Sequence, residues 1–178
     1  RPTTGDDWDL ALYDDPFGLT LLETSTEGQN GTDRVELIVG DFAEAALGSY
    51  FPKATFVSGT PDRSYRMEWE QDEGALDLTH DNGLGPVASG DVATCVDVTL
   101  QGGIEYTFDL HWDEVGGNAD VGMALFESNP GSLFLARDDA LAIADANGAG
   151  QGERFDVTAP ATDTYGLVVW SKGGDSGP

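Results

Sequence analysis

The chain has 178 residues, 39% of them hydrophobic, and carries 33 acidic residues against 8 basic for a formal net charge of -25. That length builds one good-sized domain or two small ones with real cores, and four Trp, five Tyr and eight Phe exclude a disordered polymer. A surface this acidic repels phosphate, which excludes nucleic acid as a partner, and no apolar run approaches the ~18 residues of a membrane span, so membrane insertion is not expected.

Three explanations of the acidity stay open: adaptation to high salt, where screening weakens self-repulsion; calcium, a hard cation that takes carboxylate oxygens; and solubility. A start at Arg1 with no signal sequence suggests a processed or excised piece of a longer polypeptide.

In chain order the patterning is almost entirely of period two, the mark of half-buried strands. Strands are expected at "DLALYD", "RVELIV", "YFPKATFV" and "SYRMEWEQ", with a short helical turn at "GDFAEAALGS". After the Gly- and Asp-rich stretch "EGALDLTHDNGLGPVASGD" the pattern resumes with "TCVDVTL", a "QGG" turn and "GGIEYTFDLHWDE". In the last of these Ile104, Tyr106, Phe108, Leu110 and Trp112 share one face and Glu105, Thr107, Asp109, His111 and Asp113 the other. "VGMALFES", "ERFDVTA" and "YGLVVW" complete the series. Turn clusters such as "DDPFG", "GQNGTD", "SNPG" and "ANGAGQG" separate the strands. Many short strands at regular spacing predict an all-β fold of antiparallel β-sandwiches, jelly-roll-like in type. Cys95, the only cysteine, reads as a small strand residue.

The halves repeat weakly. "DWDLALYDDP" lies over "DVGMALFESNP", placing Asp7 on Asp120, Leu10 on Met123, Leu12 on Leu125 and Tyr13 on Phe126, each 113 positions apart. "TDRVELIV" lies over "GERFDVTA", and "GSYFPKATFVSG" over "DTYGLVVWSKGG", with Tyr50 and Tyr165 separated by 115. The copies are incomplete in different places. The first, residues 1–73, lacks opening strands; a linker over 74–90 follows; the second, residues 91–178, lacks a closing strand.

This order of features resembles the bacterial pre-peptidase C-terminal domain family. The matching parts are an opening strand pair ("VDVTLQGGIEYTFDL"), the strand Asp7-Trp8-Asp9-Leu10-Ala11-Leu12, Tyr-led strands after a turn ("GSYFPKATFV", "DTYGLVVW") and a closing Tyr-led strand ("SYRMEWE"), over most of residues 6–71 and 90–172. Gly122 departs from the pattern, standing where a second Asp belongs. The resemblance implies a compact secreted β-sandwich attached to a catalytic domain and not catalytic itself. Some relatives bind structural polymers such as collagen and use calcium to order a loop.

Gly174-Asp175-Ser176-Gly177-Pro178 looks like the nucleophile loop of a serine protease, but the chemistry needs a general-base histidine, an orienting carboxylate and an oxyanion hole. The two histidines are His111, on the wet face of a strand, and His80, in the linker, and Ser176 has no following sequence to build a pocket. No catalytic residue is assigned. For a metal, the acidic turn "GDDWDLALYDDP" offers Asp7, Asp9, Asp14 and Asp15 as candidate calcium ligands, against the simpler reading that Asp favours turns and strand ends. "DANGAGQGE" lacks the EF-hand spacing and reads as a hairpin turn. Trp69 and Trp112 read as core, and Trp170, at a strand end, as partly exposed.

Two functions compete. One is a non-catalytic, secreted module pair that binds an extracellular polymer or protein and needs no cofactor, with Ca2+ the one candidate ion. The other is a structural subunit that assembles with copies of itself by adding strands to open sheet edges. An enzyme in its own right comes last.

Overall fold

The computed structural model describes residues 7–26, 36–40, 49–59, 67, 93–110, 120–127 and 134–173. Among them eleven strands follow in the order β1 (Asp7–Tyr13), β2 (Leu21–Ser25), β3 (Ile38–Gly40), β4 (Phe51–Ser58), β5 (Ala93–Leu100), β6 (Glu105–Leu110), β7 (Asp120–Glu127), β8 (Phe134–Ala136), β9 (Ala142–Ala144), β10 (Glu153–Thr158) and β11 (Asp163–Gly173). Every ladder between them is antiparallel. The only helical element among the described residues is a 3-10 turn at Arg137–Asp139, so the fold is all-β and of the sandwich type.

The chain divides into two compact units, residues 1–67 with 129–140, and residues 68–128 with 141–178. The stretch 74–90, the helical turn expected at "GDFAEAALGS" and the strand expected at "SYRMEWEQ" lie outside the described residues, Gly40, Ser49 and Met67 excepted.

In the second unit a four-stranded sheet, β5-β11-β7-β9, faces the two-stranded sheet β10-β6. The period-two pattern sends Val96, Val98 and Leu100 of β5, Met123 and Leu125 of β7, and Tyr165, Leu167 and Val169 of β11 into one core, where Phe108 and Phe155 meet them from the other sheet. Phe108 and Phe155 are cross-strand partners with ring centroids 5.1 Å apart. The buried Tyr165 hydroxyl donates to the Ala161 carbonyl at 2.8 Å and accepts from the Ala161 N–H at 3.2 Å, which ties the start of β11 to the turn before it. The "QGG" turn docks on that same turn. Gly102 N–H donates to Thr162 Oγ1 at 2.9 Å, and a Cβ at Gly102 would lie 2.9 Å from the Ala161 backbone. Ile104, expected on the buried face, precedes β6 and is 48% exposed, because its N–H and carbonyl belong to the turn closed with Gln101 and Ala159.

In the first unit the sheet is β2-β1-β4, and β3 pairs with β8, a strand that comes from the connection between β7 and β9. Leu12, Leu37, Phe134 and Leu135 are buried here. Trp8 meets Phe56 edge-on at 5.2 Å, and Tyr50 meets Phe134 in the same geometry at 5.2 Å. The buried Ser25 hydroxyl donates to Glu36, joining the end of β2 to the approach to β3.

The repeat is structural as well as textual. With offsets of 113 for β1 and 115 for β4, each β1–β4 pair falls on a β7–β11 pair: Asp9↔Thr55 on Gly122↔Trp170, Leu10↔Ala54 on Met123↔Val169, Leu12↔Pro52 on Leu125↔Leu167. The register shift also recurs at the same place, between Asp7 and Trp8 in one copy and between Asp120 and Val121 in the other. β2 maps onto β9 with an offset of 119: Leu10↔Ser25, Ala11↔Thr24 and Leu12↔Glu23 match Met123↔Ala144, Ala124↔Ile143 and Leu125↔Ala142. The offset grows because the connection 128–141, which contains β8, is longer than the connection 14–20. Both units therefore share one three-stranded frame, and they differ at its flank. In the second unit β5 covers the outer edge of β11, whereas β4 pairs with β1 alone among the described residues.

Candidate functional site

The turn from Asp14 to Thr20 joins β1 to β2 and holds two of the four candidate metal ligands. The Asp14 N–H donates to the Thr20 carbonyl at 3.2 Å and closes the loop. Inside it, Asp15 Oδ1 accepts from Phe17 N–H at 2.9 Å, and Oδ2 accepts from Leu19 N–H at 2.9 Å and Thr20 N–H at 2.6 Å. A short acidic side chain bonding to backbone a few residues ahead is the Asx-type reason for Asp in turns. Gly18, at φ +70, supplies the left-handed residue that lets the chain fold back around the carboxylate.

The consequence for charge follows from those bonds. Partial desolvation acts upward on Asp15, but the three N–H donors, aided by the Thr20 hydroxyl, outweigh it and hold the carboxyl below its usual range. A carboxyl lowered on folding stabilises the turn above its unfolded pKa, and that contribution is lost as pH falls through the lower, folded value. Exchange of the Leu19 and Thr20 amides, corrected for intrinsic rates, should therefore speed up below about pH 4. Asp15→Ala should show the fast exchange already at neutral pH. Exchange independent of both changes would contradict the assignment.

With the backbone fixed in this way, the turn presents its apolar side chains to water. Phe17 is 82% exposed and Leu19 83%, with Leu21 beside them at the start of β2 also exposed. Large apolar groups gathered on the surface mark contact sites, and here the presenting loop is held by its own carboxylate.

The other two candidate ligands sit at the far end of the strand. Asp7 opens β1 and Asp9 lies on the same face. At about 3.3 Å per residue, Asp7 and Asp14 are about 23 Å apart along the strand, so the four carboxylates do not meet at one point. Burial, and then the charge of Asp7, push the Asp9 carboxyl above its usual range. Among the described residues no three His, Cys, Asp or Glu side chains gather as a metal-binding group.

The segment "DANGAGQGE" is a crossover and not the expected hairpin, because β9 pairs with β7 while β10 pairs with β6. It is folded onto the first residue of β10. The buried Glu153 accepts from Asn147 N–H at 2.6 Å, and Asn147 Nδ2 donates to the Gly152 carbonyl at 2.5 Å. Trp170, expected to be partly exposed, is completely buried. The reason is its cross-strand partner: Gly122 has no side chain, and the indole lies over it, so close that a Cβ would fall 2.5 Å from the ring. His80, His111, Trp69, Trp112 and the stretch 174–178 with Ser176 lie outside the described residues. No helix among the described residues is long and apolar enough to cross a membrane.

Comparison with known proteins adds no assignment: no protein-family model matches the chain, and no curated protein matches it significantly.

Proposed function

We propose that the chain is a non-catalytic pair of β-sandwich modules of the pre-peptidase C-terminal type, secreted, and that it binds an extracellular protein or polymer through the Asp14–Thr20 turn. The observation that carries this reading is the exposure of Phe17 and Leu19 on a loop whose backbone is fixed by Asp15. Pre-ordering matters because a loop already held in its bound shape loses little entropy on contact. The acidic surface favours a partner that is neutral or basic over an anionic one.

Adsorption to insoluble collagen, chitin and cellulose tests the reading. The chain is expected to partition onto at least one of them, and Phe17→Ser with Leu19→Ser is expected to reduce that partition about tenfold, the effect of about 1.4 kcal/mol. Because both side chains are exposed, the double variant should unfold within about 0.5 kcal/mol of the parent. A variant that adsorbs as well as the parent, or a parent that adsorbs to none of the three, would sink the proposal.

A further inference from the structure

The first unit takes one of its strands from inside the second half of the chain. Through the repeat β1, β2, β3 and β4 correspond to β7, β9, β10 and β11, with Ile38 on Thr158 and the buried Leu37 on the buried Val157. Among the described strands this leaves β5 and β6 over in the second unit and β8 in the first. β10 pairs antiparallel with β6, and β3 pairs antiparallel with β8. β8 therefore takes in the first unit the pairing that β6 takes in the second. The second unit closes without it: β7 and β9 end their ladder at Leu125↔Ala142, and the Leu141 N–H donates to the Leu125 carbonyl at 2.8 Å. A turn as short as 14–20 would join those two strands. The longer connection is instead built to be held elsewhere. Phe134 and Leu135 are buried, and Phe134 meets the Tyr50 ring edge-on. After β8 the 3-10 turn directs the chain toward β9, with Ala136 N–H donating to Asp139 Oδ2 at 3.0 Å and Ala140 N–H to the Arg137 carbonyl at 3.1 Å. Fixing these residues costs conformational entropy, which the burial of two large apolar side chains offsets.

We propose that the segment Phe134–Asp139 is a strap, docked on β3 and Tyr50, that holds the second unit to the first without help from the covalent joint over 74–90. The chain enters the strap from β7 and leaves it into β9, and those two strands pair with each other. Its two ends are therefore anchored in one sheet, and the strap cannot leave with one unit while staying docked on the other. The occupant of the acceptor strand is the chain's own segment. A strap from a second copy is the poorer occupant, because a tethered strand competes at high effective concentration and two chains of formal charge -25 repel each other. The consequence is resistance to cutting: a break within 74–90 leaves two fragments that persist as one particle. This assignment is independent of what the Asp14–Thr20 turn binds.

A specific protease site inserted within 74–90 of the full chain supplies the test. After cutting, the two fragments are expected to migrate together, close to the 18.8 kDa of the intact chain, and to separate only in denaturant. Phe134→Asp with Leu135→Asp should weaken the association of the cut fragments at least about tenfold. The amides of β5 and β11 should keep their parental protection in that variant, since the second unit closes without the strap. Parent fragments that separate in native buffer would overturn the proposal, as would variant fragments that hold together as firmly as the parent's. Loss of protection in β5 and β11 of the variant would also overturn it, by showing that the second unit needs the segment for itself. A particle of twice the chain mass would assign the strap to a second copy, and the proposal would fall.

Discussion

Gly122→Ala is expected to destabilise the second unit by about 1–3 kcal/mol, the usual cost of overpacking a filled site. Alanine is ordinarily neutral or better than glycine in a strand, so the sign of the effect depends on one contact. The added Cβ would lie 2.5 Å from two indole carbons and 2.6 Å from the indole nitrogen of Trp170. Trp170 has no solvent-exposed surface through which to retreat. Removing the ring by Trp170→Ala should cost about 3–5 kcal/mol on its own, and Gly122→Ala made in that background should cost nothing or restore a little stability. Urea unfolding followed by circular dichroism measures all four corners of the cycle. Additive losses would mean that the indole does not lie over Gly122, and the register of β7 on β11 would be in doubt.

This pair also shows where sequence and structure part. Gly122 reads as a break in a motif, a missing aspartate, because nothing in "DVGMALF" says what lies across the ladder. The reason is 48 residues away in Trp170. The long alternating strands were legible. "DLALYD", "VGMALFES" and "YFPKATFV" became β1, β7 and β4, and the offsets of 113 and 115 that align their letters also align their ladders, down to the register shift. β2, β8 and β9 were not legible, since three to five residues are too few to show a period. Asp15 was picked out for its carboxylate, but a turn aspartate that caps backbone amides and one that holds an ion read alike. The structure shows the capping bonds, from Phe17, Leu19 and Thr20. The exposed apolar tip did leave a signal, the run Pro16-Phe17-Gly18-Leu19 inside a turn cluster, where apolar residues have no core to enter.

The central claim is that two units share one frame and that, among the described residues, β11 is paired on both sides and β4 on one, and amide exchange resolved by residue tests it most directly. A strand paired on both sides directs every N–H into a ladder, whereas a strand paired on one side directs every second N–H outward. From Leu167 to Trp170 in β11, all amides should exchange only with opening of the unit. From Lys53 to Val57 in β4, protection should alternate, with the outward amides exchanging on the order of a thousandfold faster than their neighbours if the unit is stable by about 5 kcal/mol. Alternating protection in β4 beside continuous protection in β11 is the expected result. Continuous protection across both strands would show β4 paired on both sides and would contradict the account.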